Sequence, residues 1–227
     1  MTEPTDQTAA PVLLLASASP ARLATLRSAG LDPLVLVSGV DEERALDGYP
    51  DLAPDEVPLL LARAKASAVA TLLESDDAPA DVPDDVLVLG CDSVLELDGE
   101  VHGKPADAAE AVARWQRMRG RSGVLHTGHW VVDLRDGSAG GTGATIGAVS
   151  STTVHFADVS DAEIEAYVAT GEPLAVAGAF TTDGLGGAFV RGIEGDHHTV
   201  VGVSLPLLRD LLAECGVAWT SLWGPRG

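Results

Sequence analysis

The stretch VLLLASASPARLATLRSAG, residues 12–30, decides the fold class of this chain. Its first five residues form an apolar run typical of a short buried strand, and Ser19-Pro20 then predicts the start of a helix that ends at Gly30. Serine accepts hydrogen bonds from the free N–H groups of a first turn, and proline at the first helical position loses none. A helix that follows a strand this closely predicts an α/β chain.

The rest of the chain continues to alternate between strand and helix patterns, with no internal repeat. We expect further strands at residues 34–37, 86–97, 124–134 and 145–156, with turns at Asp98-Gly99 and at residues 136–143. We expect helices at residues 20–29, 55–73, 106–118, 160–169 and 205–213. On helix 55–73 the predicted core stripe is Val57, Leu60, Leu61, Ala64, Ala68 and Leu72. Together these elements predict a mixed, twisted sheet with flanking helices.

Composition limits the classes of partner that this protein can take. Its 34 acidic residues outweigh 14 basic ones and give a formal net charge of −20. A nucleic-acid groove needs a basic stripe, and an anionic membrane attracts basic surfaces. No apolar run approaches the roughly 20 residues that span a bilayer. We therefore expect neither nucleic acid nor a membrane as a partner, and we interpret the charge as a solubilising surface.

Cysteine usage and the chain start indicate where the protein works. Its two cysteines, Cys91 and Cys215, are too few for a disulfide framework and fit a reducing compartment, so we expect a cytoplasmic protein. Residues 1–10 are polar and acidic and make a poor signal peptide, so we expect a disordered tail. For the remainder, residues 11–227, we expect a single domain with a sizeable core.

The helix start around Ser17 and Ser19 predicts an anion site. A helix that begins at the end of a buried strand points its free N–H groups and its positive dipole end at the rim of the sheet. Arg22 lies in the first turn, where a cation is disfavoured unless an anion binds nearby. Arg22 is therefore either a contact for a bound anion or simply an exposed residue.

Asp92 is the strongest single candidate for chemistry, because it interrupts an otherwise apolar strand. A buried carboxylate needs hydrogen bonds, a cation or a metal, and at a strand end beside a cleft it can ligate Mg²⁺ or accept a proton from water. Lys65 is predicted on the apolar stripe of its helix, where an ammonium group has to reach the stripe edge or meet a phosphate or carboxylate. The alternatives are an aspartate that closes a turn and a lysine that only reaches solvent.

The other polar candidates are less specific. Glu42 belongs to an acidic run after the second strand, and such runs are typical of solvated loops. Lys104 lies in an ordinary Gly-Lys-Pro turn from which its side chain could reach back towards Asp92 across the hairpin. The histidine pairs 126/129 and 197/198 are spaced so that their side chains point to opposite faces, which does not suit a shared metal.

Several ordered motifs make the chain resemble the Maf family of nucleoside triphosphate pyrophosphatases, from about residue 12 to residue 212. LASASPAR resembles the family's opening Leu-Ala-Ser-x-Ser-Pro-Arg-Arg, GVDEE resembles its glutamate segment and LARAKA the segment with its helix lysine. GCDSV resembles Ala-Asp-Thr-Val, and HGKP matches Gly-Lys-Pro. YVATGEP, AGAF and IEGDHHTVVGVSLP resemble its C-terminal signatures, of which the last is interpreted as scaffold.

The resemblance implies a Maf-like α/β fold, similar to that of inosine-triphosphate pyrophosphatases, with two lobes around a cleft. Members of the family are often dimeric, so the resemblance is compatible with a homodimer. It also implies hydrolysis of a nucleoside triphosphate to the monophosphate and pyrophosphate, with Mg²⁺ or Mn²⁺ as cofactor. By position, Asp92 is the proton acceptor and shares the metal with Glu42. The substrate contacts that it implies are Ser17, Ser19, Arg22, Lys65, Ser93, Lys104 and Asp183.

The chain departs from the family pattern at four positions. Ala21 replaces the first arginine of the pair, Gly123 replaces a histidine, and Asp183 stands where thymidine- and uridine-type members carry glutamine. Ser93 replaces threonine but keeps a hydroxyl group. Two other classes of function therefore stay open: a nucleotide-binding regulator of cell division without turnover, and a metal-dependent phosphatase that releases orthophosphate from another metabolite. The retained carboxylates and lysines favour the pyrophosphatase.

Overall fold

The computed structural model describes residues 10–223. The tail that we predicted at residues 1–10 therefore lies almost wholly outside the described residues. None of the helices between residues 10 and 223 has the length and apolar character that a membrane crossing requires.

Seven strands form one mixed sheet. They are β1 (Val12–Leu15), β2 (Leu34–Val35), β3 (Val86–Leu97), β4 (Glu100–His102), β5 (Ser122–Asp133), β6 (Thr145–Phe156) and β7 (Val190–Glu194). The sheet order is β2-β1-β3-β5-β6-β7, and β4 pairs with β3. Strand β1 runs parallel to β2 and β3, whereas the other pairs are antiparallel. The predicted α/β class with a mixed sheet is confirmed.

Helices flank this sheet. They are α1 (Pro20–Ser28), α2 (Glu42–Leu46), α3 (Glu56–Leu73), α4 (Ala108–Met118), α5 (Asp161–Ala169), α6 (His197–Val201) and α7 (Leu205–Glu214). Helix α5 begins with a capping box, in which Ser160 and Glu163 are each bonded to the other's backbone N–H. The hairpin predicted at Asp98-Gly99 is present, with β4 as its second strand. Elements α2, α6 and β7 were not predicted, because each has only five residues and so shows little periodicity.

Helix α3 lies directly on the sheet, but with a different face from the predicted one. Its buried residues are Pro58, Leu61, Ala62, Ala66, Val69 and Ala70. A Cβ atom on Gly90 of β3 would lie 2.2 Å from the carbonyl oxygen of Ala62, so helix and strand touch backbone to backbone. Of the predicted stripe only Leu61 is among the buried residues. The rest of the stripe was wrong because small residues, Ala62 and Ala66, meet the strand at this close approach.

Three apolar cores lie along the long strands, and one of them joins Leu14 of β1 to Ala66 of α3. The other two follow one another along β3, in agreement with the two predicted lobes. In the first of these two, Leu89 of β3 joins Leu208 of α7. In the second, Leu95 of the same strand joins Trp115 of α4. Strand β3 thus passes from one core into the other, and residues 92–94 lie at the boundary between the two cores.

The edge of β3 that faces β1 and β4 is open at this boundary. Strand β1 ends opposite Leu89, and β4 pairs with β3 only from Leu95 onward. Among the described strands, none pairs with this edge between those two residues. Asp92 therefore lies within a strand, not at a strand end as predicted, but on a stretch of β3 whose edge is not covered by another described strand.

Candidate active site

The structure brings three of the predicted site residues into one cluster. The Nζ atom of Lys65, on α3, lies 2.5 Å from Oδ1 of Asp92 on β3 and 2.6 Å from Oε1 of Glu42 on α2. Lys65 and Asp92 are nearly buried, whereas the side chain of Glu42 is 54% exposed. The lysine thus meets carboxylates, which was one of the two outcomes expected for it.

The environment of Asp92 suits a proton acceptor. Burial raises the pKa of its carboxyl group above the usual range, and the positive charges of Lys65 and Arg22 only partly oppose that rise. A carboxylate with a raised pKa is a stronger base than an ordinary aspartate. Since it also borders the open edge of β3, it can take a proton from a water molecule bound there.

Glu42 reaches the cluster because α2 begins at that residue. Asp41 caps the helix by accepting a hydrogen bond of 3.1 Å from the backbone N–H of Arg44. The cap fixes the direction in which the first turn leaves the preceding loop. The acidic run that looked like a solvated loop is therefore a short helix start, and its first glutamate pairs with a buried lysine.

The guanidinium group of Arg22 is buried, and most of its donors bind within the protein. Nε donates to the carbonyl oxygen of Gly202 at 2.8 Å, and Nη1 donates to Ser17 Oγ at 3.0 Å and to the carbonyl oxygen of Cys91 at 2.9 Å. Nη2 donates to Ser93 Oγ at 3.1 Å. An arginine has five N–H donors, so one remains for a ligand. The alternative that Arg22 is merely exposed was wrong.

The helix start forms as predicted. Ser19 caps α1 by accepting a hydrogen bond from the backbone N–H of Arg22 at 3.4 Å. Ser17 Oγ accepts a second bond, 3.2 Å long, from the backbone N–H of Ser19. Ser17 Oγ and the Cys91 carbonyl oxygen of β3 share Nη1 of Arg22, so the loop after β1 lies beside this stretch of β3.

The C-terminal motif, interpreted as scaffold, also supports the site. Ser93 Oγ lies 2.8 Å from Thr127 Oγ1, whose hydroxyl donates to the carbonyl oxygen of Thr199 on α6. The backbone N–H of Ser204 donates to Nε2 of the fully buried His129 at 2.8 Å. Together with the bond from Arg22 to Gly202, these contacts fix β3 and β5 against the chain's last helices.

Two predicted residues stay apart from the cluster. Lys104 is exposed and makes no ion pair within residues 10–223, so the predicted reach to Asp92 is not realised. Asp183 is also exposed. Its loop is held by Glu172, whose carboxylate accepts hydrogen bonds from Thr181 Oγ1 and the backbone N–H groups of Leu185 and Gly186. Sequence reasoning missed Glu172, although it lies within the quoted segment YVATGEP.

The two histidine pairs differ. His126 and His129 bind separate partners, as expected for opposite faces of a strand. His197 and His198 instead begin a helix, and their ring centroids lie 3.8 Å apart. Ligand atoms of both lie within 4.8 Å of each other and of Asp196. The prediction that this second pair points apart was therefore wrong, because it assumed strand-like alternation.

The carboxylates of Glu42 and Asp92 fit a divalent metal. One oxygen of each lies within 2.6 Å of a single point, the Nζ atom of Lys65. Carboxylate oxygens are the ligands that Mg²⁺ and Mn²⁺ favour, and Mg²⁺ is commonly held by one or two carboxylates together with substrate phosphates. The donor set is thus suited to a metal that arrives with phosphate.

Comparisons with known proteins agree with these motifs. Residues 12–215 match the family model described as Maf-like protein. A nucleoside triphosphate pyrophosphatase from Salinispora tropica is 61% identical over 211 residues, which cover 93% of this chain and 87% of the relative. Nucleoside triphosphate pyrophosphatases from Streptomyces coelicolor and Leifsonia xyli are 55% and 50% identical, over 94% and 95% of this chain and 95% and 98% of theirs.

Proposed function

Because the chain belongs to the family of Maf-like proteins, we propose that it is a nucleoside triphosphate pyrophosphatase. It hydrolyses a nucleoside triphosphate to the nucleoside monophosphate and pyrophosphate. The observation that carries this proposal is the cluster of Asp92, Lys65 and Glu42 beside the open edge of β3. Its relatives with 50% to 61% identity carry the same name, which supports the same chemistry here.

Asp92 is proposed as the general base. Its carboxylate takes one proton from water while the water oxygen bonds to the α-phosphorus, and the bond from that phosphorus to the bridging oxygen breaks. The electron pair of the broken bond leaves with pyrophosphate. The raised pKa of Asp92 supports this role, since a stronger base takes the proton more readily.

The cations and the helix start are proposed to hold the triphosphate. Lys65 lies beside the base, and the exposed Lys104 is free to reach a phosphate. The start of α1 offers the backbone N–H of Ala21, since those of Ser19 and Arg22 are bonded to serine hydroxyls. Arg22 supplies at most one donor, because the others bind within the protein. In phosphoryl transfer the protein mainly positions groups and stabilises charge, which is what these residues can do.

A divalent metal is proposed as cofactor, with Glu42 and Asp92 as its protein ligands. When bound, such an ion neutralises charge on the phosphates and orients them. The buried free thiols of Cys91 and Cys215 support a reducing, cytoplasmic setting for the reaction. We also propose that the protein forms a homodimer. Light scattering of the purified protein tests this oligomeric state.

Product identification tests the proposal. The protein is incubated with a panel of ordinary and modified nucleoside triphosphates and Mg²⁺ or Mn²⁺, and the products are separated by chromatography. Monophosphate with an equal amount of pyrophosphate is the expected result. Orthophosphate alone would indicate the phosphatase, and binding without any product would indicate the regulator.

A further inference from the structure

The feature that goes beyond the proposed function is the position of the Lys65 ammonium group. It lies between the two carboxylates that fit the metal, 2.6 Å from Glu42 and 2.5 Å from Asp92. The Lys65 and Asp92 side chains are 11% and 10% exposed. The lysine therefore already fills the space in which both carboxylates meet.

We propose that Lys65 acts as the resident counter-ion of this carboxylate pair, so that the divalent metal binds together with the nucleotide and not before it. This inference rests on the proposed function. Mg²⁺ bound by a carboxylate lies at about 2.0–2.1 Å from the ligand oxygen. An ion bonded to Oδ1 of Asp92 and Oε1 of Glu42 would occupy the same space as the ammonium nitrogen, so at these two oxygens one excludes the other.

Electrostatics points the same way. Two carboxylates and one ammonium group leave a single negative charge, and the charge of Arg22, which also acts on Asp92, offsets it. A divalent ion beside Lys65 would also be repelled by the ammonium group at short range. Removing the ammonium without a replacement partner would also leave a buried charge unpaired, which is strongly unfavourable. The metal alone therefore gains little from this site.

A triphosphate changes this balance. Its oxygens offer the ammonium group a new anionic partner and offer the metal additional ligands. Lysine suits the exchange, because its ammonium group is a compact charge with three donors on a flexible stem. Lys65 thus releases the carboxylates as it takes hold of phosphate. Linkage then requires that nucleotide and metal raise each other's affinity by the same factor.

Manganese binding measured by electron paramagnetic resonance tests the inference without turnover. Free Mn²⁺ is titrated with the wild-type protein at about pH 8, with and without a triphosphate whose α,β-bridge is a methylene group. The K65M variant removes the ammonium group and keeps much of the side-chain volume. The control is R191M, which removes one positive charge from an exposed residue outside the proposed site that pairs with neither carboxylate.

We expect wild-type protein to bind Mn²⁺ about tenfold or more weakly without the analogue than with it. Without the analogue, K65M binds Mn²⁺ about tenfold or more tightly than wild type, and R191M binds it like wild type. Adding E42Q to K65M removes the gain. If wild-type protein binds Mn²⁺ equally well with and without the analogue, the inference is overturned. This comparison uses wild-type protein alone and so does not depend on whether a variant folds.

An unchanged affinity in folded K65M, or an equal gain in R191M, would also overturn it, since the effect would then not come from occupancy of the carboxylate pair. The proposed function fails separately, if wild-type protein releases no pyrophosphate. Metal binding and product formation therefore give distinguishable results.

Discussion

The Nζ atom of Lys65 and Oδ1 of Asp92 lie 2.5 Å apart and join helix α3 to strand β3 at the open edge of the sheet. The pair is nearly buried, and Glu42 is its third member. Because α3 touches β3 backbone to backbone one turn further along, the separation of the two charges depends on how closely the helix approaches the strand. The position of the base is thus a consequence of packing.

Replacing Asp92 by asparagine should remove most of the activity. The amide keeps the size of the side chain but cannot accept the proton of water, so kcat should fall by about 10²–10⁴, the usual contribution of one general base. Pyrophosphate release measures kcat, and a thermal unfolding curve shows whether the fold is kept. Near-normal pyrophosphate release by folded D92N would remove Asp92 from this role.

Lysine should not be able to replace Arg22. The guanidinium group spans Gly202, Cys91 and two serine hydroxyls, whereas an ammonium group has a single nitrogen and cannot reach all four. We expect R22K and R22M to lose activity alike, each with a loss of roughly 2–5 kcal/mol in the free energy of unfolding. Urea denaturation and kcat measure these effects. If R22K kept the wild-type kcat and free energy of unfolding, the positive charge of Arg22 would be sufficient, and its planar set of donors would not be required.

His129 should make the fold sensitive to mild acid. Burial lowers its pKa to about 4, with a further contribution from the charge of Arg22. An unfolded histidine has a pKa near 6.5, so between about pH 6.5 and 4 the unfolded state binds more protons and stability falls as pH falls. At 1.36 kcal/mol per pKa unit the loss amounts to about 3 kcal/mol at pH 4.

Denaturant titrations of wild type and H129Q between pH 7 and 4 measure this loss. Glutamine can still accept the hydrogen bond from Ser204 through its side-chain oxygen, but it does not titrate. The stability of H129Q should therefore depend less on pH in this window. Parallel pH curves for the two proteins would show that His129 is not the group responsible.

Gly90 should be required for the placement of Lys65. An alanine there would bring its Cβ atom to 2.2 Å from the Ala62 carbonyl oxygen, so α3 would have to move away from β3. We expect G90A to lose about 1–3 kcal/mol of stability together with much of kcat. The control is G137A, because a Cβ atom on Gly137 meets nothing within 4 Å. Equal effects of G90A and G137A would contradict this account of the packing.

Much of the fold could be predicted from local sequence patterns. The strand and helix at residues 12–30 were predictable because hydrophobic runs, the Ser19 cap and Pro20 act over a few residues. The importance of Asp92 was also visible, since a charge inside an apolar strand needs an explanation wherever the strand lies. The orientation of α3 was not predictable, because it depends on a contact with Gly90, which is distant in sequence.

The site itself was only half predictable for the same reason. Arg22 donates to residues 69, 71 and 180 positions away, and no local pattern indicates such partners. Glu42 looked like part of a solvated loop because its ion pair with Lys65 forms only after α2 and α3 pack together. What family resemblance supplied was the list of residues, and what the structure added was their arrangement.

The central claim is that water attacks the α-phosphorus of a nucleoside triphosphate beside Asp92. Hydrolysis in water enriched in ¹⁸O, followed by mass spectrometry of both products, tests it most directly. The account predicts one ¹⁸O atom in the nucleoside monophosphate and none in pyrophosphate, with both products lost in D92N. Label in pyrophosphate, or label only in orthophosphate, would contradict attack at the α-phosphorus.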